Sequence, residues 1–252
     1  MSALEVRDLQ KRFGAIDAVA GVSFMLEPGE TLALIGPNGA GKSTCFNMLN
    51  GQLRPDAGQI RLRGPNGIIQ DITGLPPPAI WRLGVGRTFQ ITATFASMTV
   101  RENVQTALLS HHCRVWRLWR HADRHAGPQA DTLLARVGMQ SQADRPAGIL
   151  AYGDLKRLEL AIALANTPRL LLMDEPTAGM APAERTALMT LTRDIARAEG
   201  VAVLFTEHDM DVVFGVADRI LVLNRGRLIA EGPPAAVRDN PEVRAVYLGG
   251  HA

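Results

Sequence analysis

Cysteine is almost absent from this chain of 252 residues, with only Cys45 and Cys113 present. Two thiols are too few for a disulfide framework and suit a reducing compartment. Aromatic residues make up 5% of the chain, and no run of about 18 apolar residues appears that would cross a bilayer as a helix. The first ten residues lack the charged start and apolar stretch of a secretory signal. The expectation is a cytoplasmic chain that meets a membrane only through a partner. An excess of one charge is missing too: 27 Lys and Arg face 25 Asp and Glu, a net charge of +2. Composition therefore gives no case for nucleic-acid binding. Lysine itself is scarce, with Lys11, Lys42 and Lys156 alone among the 27 basic residues. In a chain that uses arginine by default, a lysine marks a place where a compact point charge fits and a planar fork does not.

What is present is an ordinary globular composition, 46% hydrophobic and 21% charged, which excludes disordered and collagen-like readings. Short apolar, β-rich runs at 4–9, 22–26, 31–35, 59–62, 84–89, 170–173, 201–206, 219–223 and 227–230 predict strands. The run 170–173 is continuously apolar, as expected for a parallel strand covered on both faces. Residues 182–200 predict a helix: Pro182 suits its first turn, Leu188, Leu191 and Ile195 share a face, and Gly200 ends it. This alternation predicts an α/β layer fold. From Thr99 to Asn166 the pattern is helical, beginning with Thr99 and Glu102 at capping-box spacing. The expected organisation is one domain, with 1–92 and 167–252 as α/β core and 93–166 as an inserted helical subdomain.

The segment Gly36-Pro37-Asn38-Gly39-Ala40-Gly41-Lys42-Ser43-Thr44 follows one predicted strand and opens a helix, the context in which G-x-x-x-x-G-K-[ST] binds phosphate. Glycines let successive backbone N–H groups turn inward, and the helix N-terminus adds partial positive charge. Lys42 reaches the β/γ-phosphates and the Ser43 hydroxyl suits Mg²⁺. Further on, Asp174 and Glu175 end a buried strand, at the edge of an α/β sheet where ligands bind. There Asp174 suits the metal, and Glu175 the polarisation of an attacking water.

With these two motifs the chain resembles the ATP-binding subunits of ABC transporters over nearly its whole length. Arg87-Thr88-Phe89-Gln90 looks like the Q-loop, Leu150-Ala151-Tyr152-Gly153-Asp154 like the signature, and Thr206-Glu207-His208-Asp209 like the switch-histidine loop. The nearest similarity is to subunits serving branched-chain amino acids, or related amides such as urea. It is carried by the Ala-Tyr-Gly signature followed by Arg157-Leu158-Glu159, by Ala178-Gly179-Met180, by Glu207–Met210 and by 241–249. The resemblance implies a P-loop NTPase core with a mixed sheet, an antiparallel β-subdomain and an inserted α-helical subdomain. It implies Mg-dependent ATP hydrolysis by two subunits paired head to tail. Phe13 would stack on adenine, and residues 36–44 would hold ATP. Ser43, Gln90 and Asp174 would hold Mg²⁺. Glu175 would act as base, with His208, Gln90 and Lys42 beside the γ-phosphate. Ala151, Tyr152, Gly153 and Asp154 would cap the partner's ATP.

Two positions depart from the family's pattern. Ala151 stands where serine is usual, which removes a hydroxyl contact worth about 1.5–3 kcal/mol to a charged group. Ala181 stands where the D-loop aspartate is usual. The implied partners are a second ATPase (a copy or a paralogue), two transmembrane permease subunits and, indirectly, an external solute-binding protein, with no nucleic acid. The implied location is the cytoplasmic face of a bacterial inner membrane. An exporter ATPase and a soluble ATPase acting on nucleic acid or ribosomes are the competing readings. His111, His112, Cys113, His121 and His125 lack convincing metal-ligand spacing and read as a solvated basic face. Trp116 and Trp119, among arginines, read as lobe packing or, second to that, as a basic amphipathic patch that touches lipid headgroups or a membrane subunit.

Overall fold

A computed structural model describes residues 2–64, 67–88, 94–111 and 122–248. The chain runs β1 (Leu4–Phe13), β2 (Ile16–Leu26), β3 (Thr31–Ile35), α1 (Lys42–Leu49), β4 (Ala57–Arg63), β5 (Ile69–Asp71), α2 (Pro77–Arg82) and β6 (Val85–Thr88). Three helices follow: α3 (Val100–His111), α4 (Ala122–Arg136) and α5 (Tyr152–Leu164). Then come β7 (Leu170–Asp174), α6 (Pro182–Glu199), β8 (Ala202–Thr206), α7 (Met210–Val216), β9 (Arg219–Asn224) and β10 (Arg227–Gly232). Two short helices, α8 (Pro234–Asp239) and α9 (Pro241–Leu248), complete the described chain.

Alternate residues of the central strands feed two separate cores. Ala33, Ile35, Leu171, Met173, Val203 and Phe205 face one cluster, which includes the apolar sides of α3 to α7. Leu32, Leu34, Leu170, Leu172, Ala202 and Leu204 face the other, shared with α1 and the inner face of a second sheet. A strand whose side chains alternate between two covered faces must be apolar throughout, which accounts for the unbroken run at 170–173. The central sheet has the order β10-β9-β3-β8-β7-β6. Its neighbours are parallel apart from the antiparallel β10–β9 edge. The second sheet, β2-β1-β4-β5, is antiparallel. These are the mixed core sheet and antiparallel β-subdomain that the resemblance implies.

Between β6 and β7 the described residues form helices and turns, with a single isolated bridge from Thr99 to Pro146. The capping box is made as the spacing predicts. Glu102 Oε2 accepts the Thr99 N–H at 2.7 Å, and Thr99 Oγ1 accepts the Glu102 N–H at 3.2 Å. Pro182 opens α6, and Gly200 ends it in the left-handed conformation at φ 68°. The strand β5 is not among the sequence expectations. Its three residues are all exposed and carry no apolar period, so only its pairing with β4 defines it.

Candidate active site

The loops that carry the motifs meet because three adjacent strands end level. Phe205 of β8 pairs with Ala33 of β3 on one side and with Met173 of β7 on the other. One step on, Asp174 is opposite Thr206. The chain therefore leaves the sheet at Gly36, Glu175 and Glu207 along one carboxyl edge, where open α/β sheets bind ligands.

The phosphate loop folds in a way that only glycine permits at two points. Gly41 has φ 106°, and a Cβ there would lie 2.3 Å from the Ala18 carbonyl oxygen. At Gly36 the φ is 155° and a Cβ would fall 2.2 Å from Leu223 O. The turn is braced by Ala40 N–H donating to Pro37 O and by Gly226 N–H donating to Ala40 O. Helix α1 starts after Gly41 with no side-chain cap, so its first-turn amides are without intrahelical partners and available to an anion. Lys42 is buried and curls over the loop, donating to Gly36 O at 2.7 Å and Pro37 O at 3.1 Å. Burial pulls its ammonium below the ordinary value, while Glu175 and Asp174 pull it back up. Cys45, one turn into α1, has its thiol pushed up to about 12 by burial and is part of the core, not a nucleophile.

Across the cleft a single hydroxyl ties the Asp174 carboxylate to the Glu175 backbone. Thr206 Oγ1 donates to Asp174 Oδ1 at 2.7 Å and accepts the Glu175 N–H at 3.0 Å. Glu175 has φ 48°, a left-handed conformation that a non-glycine residue adopts at a cost of about 1–3 kcal/mol and mostly at functional sites. Its carboxylate then meets His208, with Oε1 2.9 Å from Nε2. Buried Glu207 holds the neighbouring backbone: its Oε1 accepts the Thr177 N–H at 2.9 Å and its Oε2 the His208 N–H at 3.2 Å. Asp209 caps α7 through the Asp211 and Val212 N–H groups and receives Arg185 Nη1 at 2.8 Å. Glu175, His208 and residues 38–44 line one cleft of about 380 Å³, together with Ile16, Asp17, Ala18 and Arg225.

Other residues singled out in the sequence fall elsewhere. Phe13 is exposed at the β1–β2 turn and pairs with Ile16 across it; the cleft wall on that side is formed by Ile16 to Ala18. Gln90 lies outside the described residues, as do His112, Cys113, Trp116, Trp119 and His121. Ala151 is the N-cap of α5 and Ala181 that of α6, and neither helix has a side-chain cap. Asp154 accepts Gln142 Nε2 at 2.9 Å, and Tyr152 donates its hydroxyl to Ala178 O at 3.0 Å. None of residues 151–154 lines the cleft that holds Lys42. Sequence reasoning did not single out Thr206, Glu207 or Arg225 for separate roles. The first two lay inside a motif read for its histidine, and Arg225, at φ 47° in the β9–β10 turn, carried no local signal.

Residues 19–178 match the family model for the ABC transporter. The chain belongs to this family. A second model, for the branched-chain amino acid ATP-binding cassette transporter, matches residues 227–252 of the cassette. The cassette is 42% identical over 254 residues to the high-affinity branched-chain amino acid transport ATP-binding protein LivG of Escherichia coli, covering 98% of this chain and 97% of that one. It is 41% identical to BraF, a protein of the same description from Pseudomonas aeruginosa, with the same coverage. Among solved structures, the ADP conformation of MJ1267, an ATP-binding cassette of an ABC transporter, superposes with a TM-score of 0.86 at 30% identity and covers 99% of both chains. The cassette is thus an ATPase of the kind coupled to transport, with the ABC ATPase fold.

Proposed function

We propose that this cassette hydrolyses Mg-ATP to energise an importer of branched-chain amino acids or chemically similar small amino acids or amides. The observation that carries the chemistry is the convergence of Lys42, Asp174, Glu175 and His208 on one sheet edge. The observation that favours the solute class is near full-length similarity to LivG and BraF together with the C-terminal match at 227–252.

Each residue's part follows from its surroundings. The glycine-lined loop 36–44 presents amides to the phosphates, and Lys42 exchanges its two carbonyl partners for β/γ-oxygens. Ser43 and Asp174 offer hydroxyl and carboxylate oxygens, the hard donors Mg²⁺ requires, and Gln90 would join them. The ion, when bound, neutralises charge building on the phosphate oxygens. Glu175 accepts the proton of the attacking water, and His208 keeps its carboxylate aimed across the cleft. Phe13 would stack on the adenine at the cleft's outer end.

Residues 151–154 lie outside this cleft, so we assign them to the ATP of a second cassette, copy or paralogue, paired head to tail with this one. The uncapped start of α5 then faces that γ-phosphate. No helix among the described residues is long and apolar enough to cross a membrane; in this reading two permease subunits carry the solute. A second cleft of about 390 Å³, with Pro77, Ile80, Trp81 and Arg87 in its wall, offers an apolar seat for a cytoplasmic helix of such a partner. Binding to the cytoplasmic face of the inner membrane follows from that contact, and an external binding protein would deliver the solute.

The test is co-purification of the tagged chain from gently extracted membranes, followed by identification of its companions. Two multi-span subunits and a second ATPase, with ATPase activity stimulated by a leucine-loaded binding protein, are the expected result. Recovery of the chain alone, or with ribosomes or DNA, overturns the importer reading.

A further inference from the structure

The signature segment of this chain is fastened to its own catalytic turn by one phenol. Tyr152, the first residue of α5, has its hydroxyl 3.0 Å from the Ala178 carbonyl oxygen. Its ring lies against Gly179, where a Cβ would already be within 3.4 Å of it and where φ is +81°. On the other side, Lys156 Nζ stands 5.4 Å from the ring centroid. That ammonium is buried and held at 3.0 Å by Glu159. One of only three lysines in the chain therefore supports the phenol by a cation–π contact. The side chain is 43% exposed, yet hydrogen bond, glycine seat and cation together fix its direction.

Ala178 belongs to the turn that starts at the proposed general base. Its N–H donates to Glu175 O, and Met180 N–H donates to Thr177 O. The Thr177 N–H is in turn held by Glu207, the neighbour of His208. One turn of four residues, 175–178, therefore connects the Tyr152 hydroxyl to the backbone of Glu175. Coupling between sites needs such an element, shared by both and biased by each.

We propose that Tyr152 is a positioning residue that links occupancy of the neighbouring cassette's nucleotide, capped by the start of α5, to the placement of this chain's own Glu175. The proposal rests on the paired-cassette reading above. Its hydroxyl is directed at Ala178; the backbone of 151–154 does the capping and the side chain transmits its position.

The test uses the whole complex, purified from membranes through a tag on this chain and placed in lipid nanodiscs. Tyr152→Phe keeps the ring and removes the hydroxyl. Its turnover is expected to fall about tenfold, the scale for a slightly misplaced catalytic group, with the half-saturating ATP concentration within about twofold of wild type. Hydrogen exchange supplies the readout that a merely structural role would not move. Mg-ATP is expected to slow exchange at 150–155 in both proteins, but at 176–181 in the wild type alone. Wild-type turnover in Tyr152→Phe overturns the link, as does loss of protection at both segments together with a lowered melting temperature. Glu175→Gln is measured beside it. Its retained turnover overturns the site reading itself, whereas an inactive Glu175→Gln with a wild-type-like Tyr152→Phe overturns the link alone.

Discussion

His208 Nε2 and Glu175 Oε1 are 2.9 Å apart, although 33 positions separate the two residues. They meet because β7 and β8 are parallel neighbours that end at the paired residues Asp174 and Thr206. The left-handed turn at Glu175 (φ 48°) then takes its side chain off the line of the strand. Glu175 and His208 are thus set by the register of the sheet.

Changing Glu175 to Gln keeps the volume and the hydrogen bond to His208 but removes the proposed proton acceptor. Turnover should fall by about 10²–10⁴, the usual contribution of a general base, while ATP binding persists. Phosphate release and equilibrium nucleotide binding on the same preparation check both halves of this expectation.

Lys42→Ala and Lys42→Arg should both abolish useful nucleotide affinity, for different reasons. Alanine removes two charge-assisted contacts of about 1.5–3 kcal/mol each, hence at least a hundredfold in the dissociation constant. Arginine keeps the charge, but its planar fork does not fit a buried cradle in which Nζ lies 2.7 Å from Gly36 O. Titration calorimetry with Mg-ATP would show wild-type affinity in Lys42→Arg if charge alone mattered.

Thr206 is the least conspicuous member of the site and a sharp test of its geometry. Valine at this position fills the same space without the hydroxyl that joins Asp174 to the Glu175 backbone. Thr206→Val should lower turnover more than affinity, and Thr206→Ser should restore it. The Asp174 oxygen loses its donor while the Glu175 N–H keeps the Thr206 carbonyl at 3.2 Å, so stability should fall by about 1–3 kcal/mol in all, visible in a urea titration.

Asp209 should contribute to acid sensitivity. Its carboxyl is held below the usual carboxylate range, first by the hydrogen bond from Arg185 and also by the Val212 and Asp211 amides. A depressed folded value means that the stabilisation is present above the unfolded value of about 3.9 and is lost as pH falls through the folded one. Asp209→Asn retains a capping oxygen but loses the ion pair. It should be less stable than wild type by up to about 1 kcal/mol at pH 7, a gap that narrows as pH falls below the unfolded value. A gap that stays the same as the pH is lowered would contradict this.

Ala151→Ser restores the hydroxyl usual in the family at the N-cap of α5. It should add about 0.5–2 kcal/mol of helix capping. It should also lower the ATP concentration needed for pairing with the second cassette. Light scattering or sedimentation in a Glu175→Gln background would detect the second effect.

Much of this molecule was legible from local chemistry. The phosphate loop is one continuous segment, so its glycines, its lysine and its flanking strand and helix are visible together. The strand at 170–173 was readable because burial on two faces leaves no room for polar residues. The capping box, Pro182 and Gly200 mark helix ends through bonds made within three or four residues. By contrast, β5 has three exposed residues and no pattern of its own.

The sequence by itself determined the kind of site, because the residues that cradle phosphate are contiguous and their conformations local. The tertiary structure alone decided which groups share that site and how they are aimed. Thr206 between the Asp174 carboxylate and the Glu175 N–H, Glu207 on the Thr177 N–H, Arg225 in the cleft wall and the Tyr152 hydroxyl on Ala178 all depend on parallel strand register and on the packing of α5 against the turn before α6. Such contacts span long stretches of chain and follow no period along it. They become defined only when the strands pair and both faces of the sheet are covered.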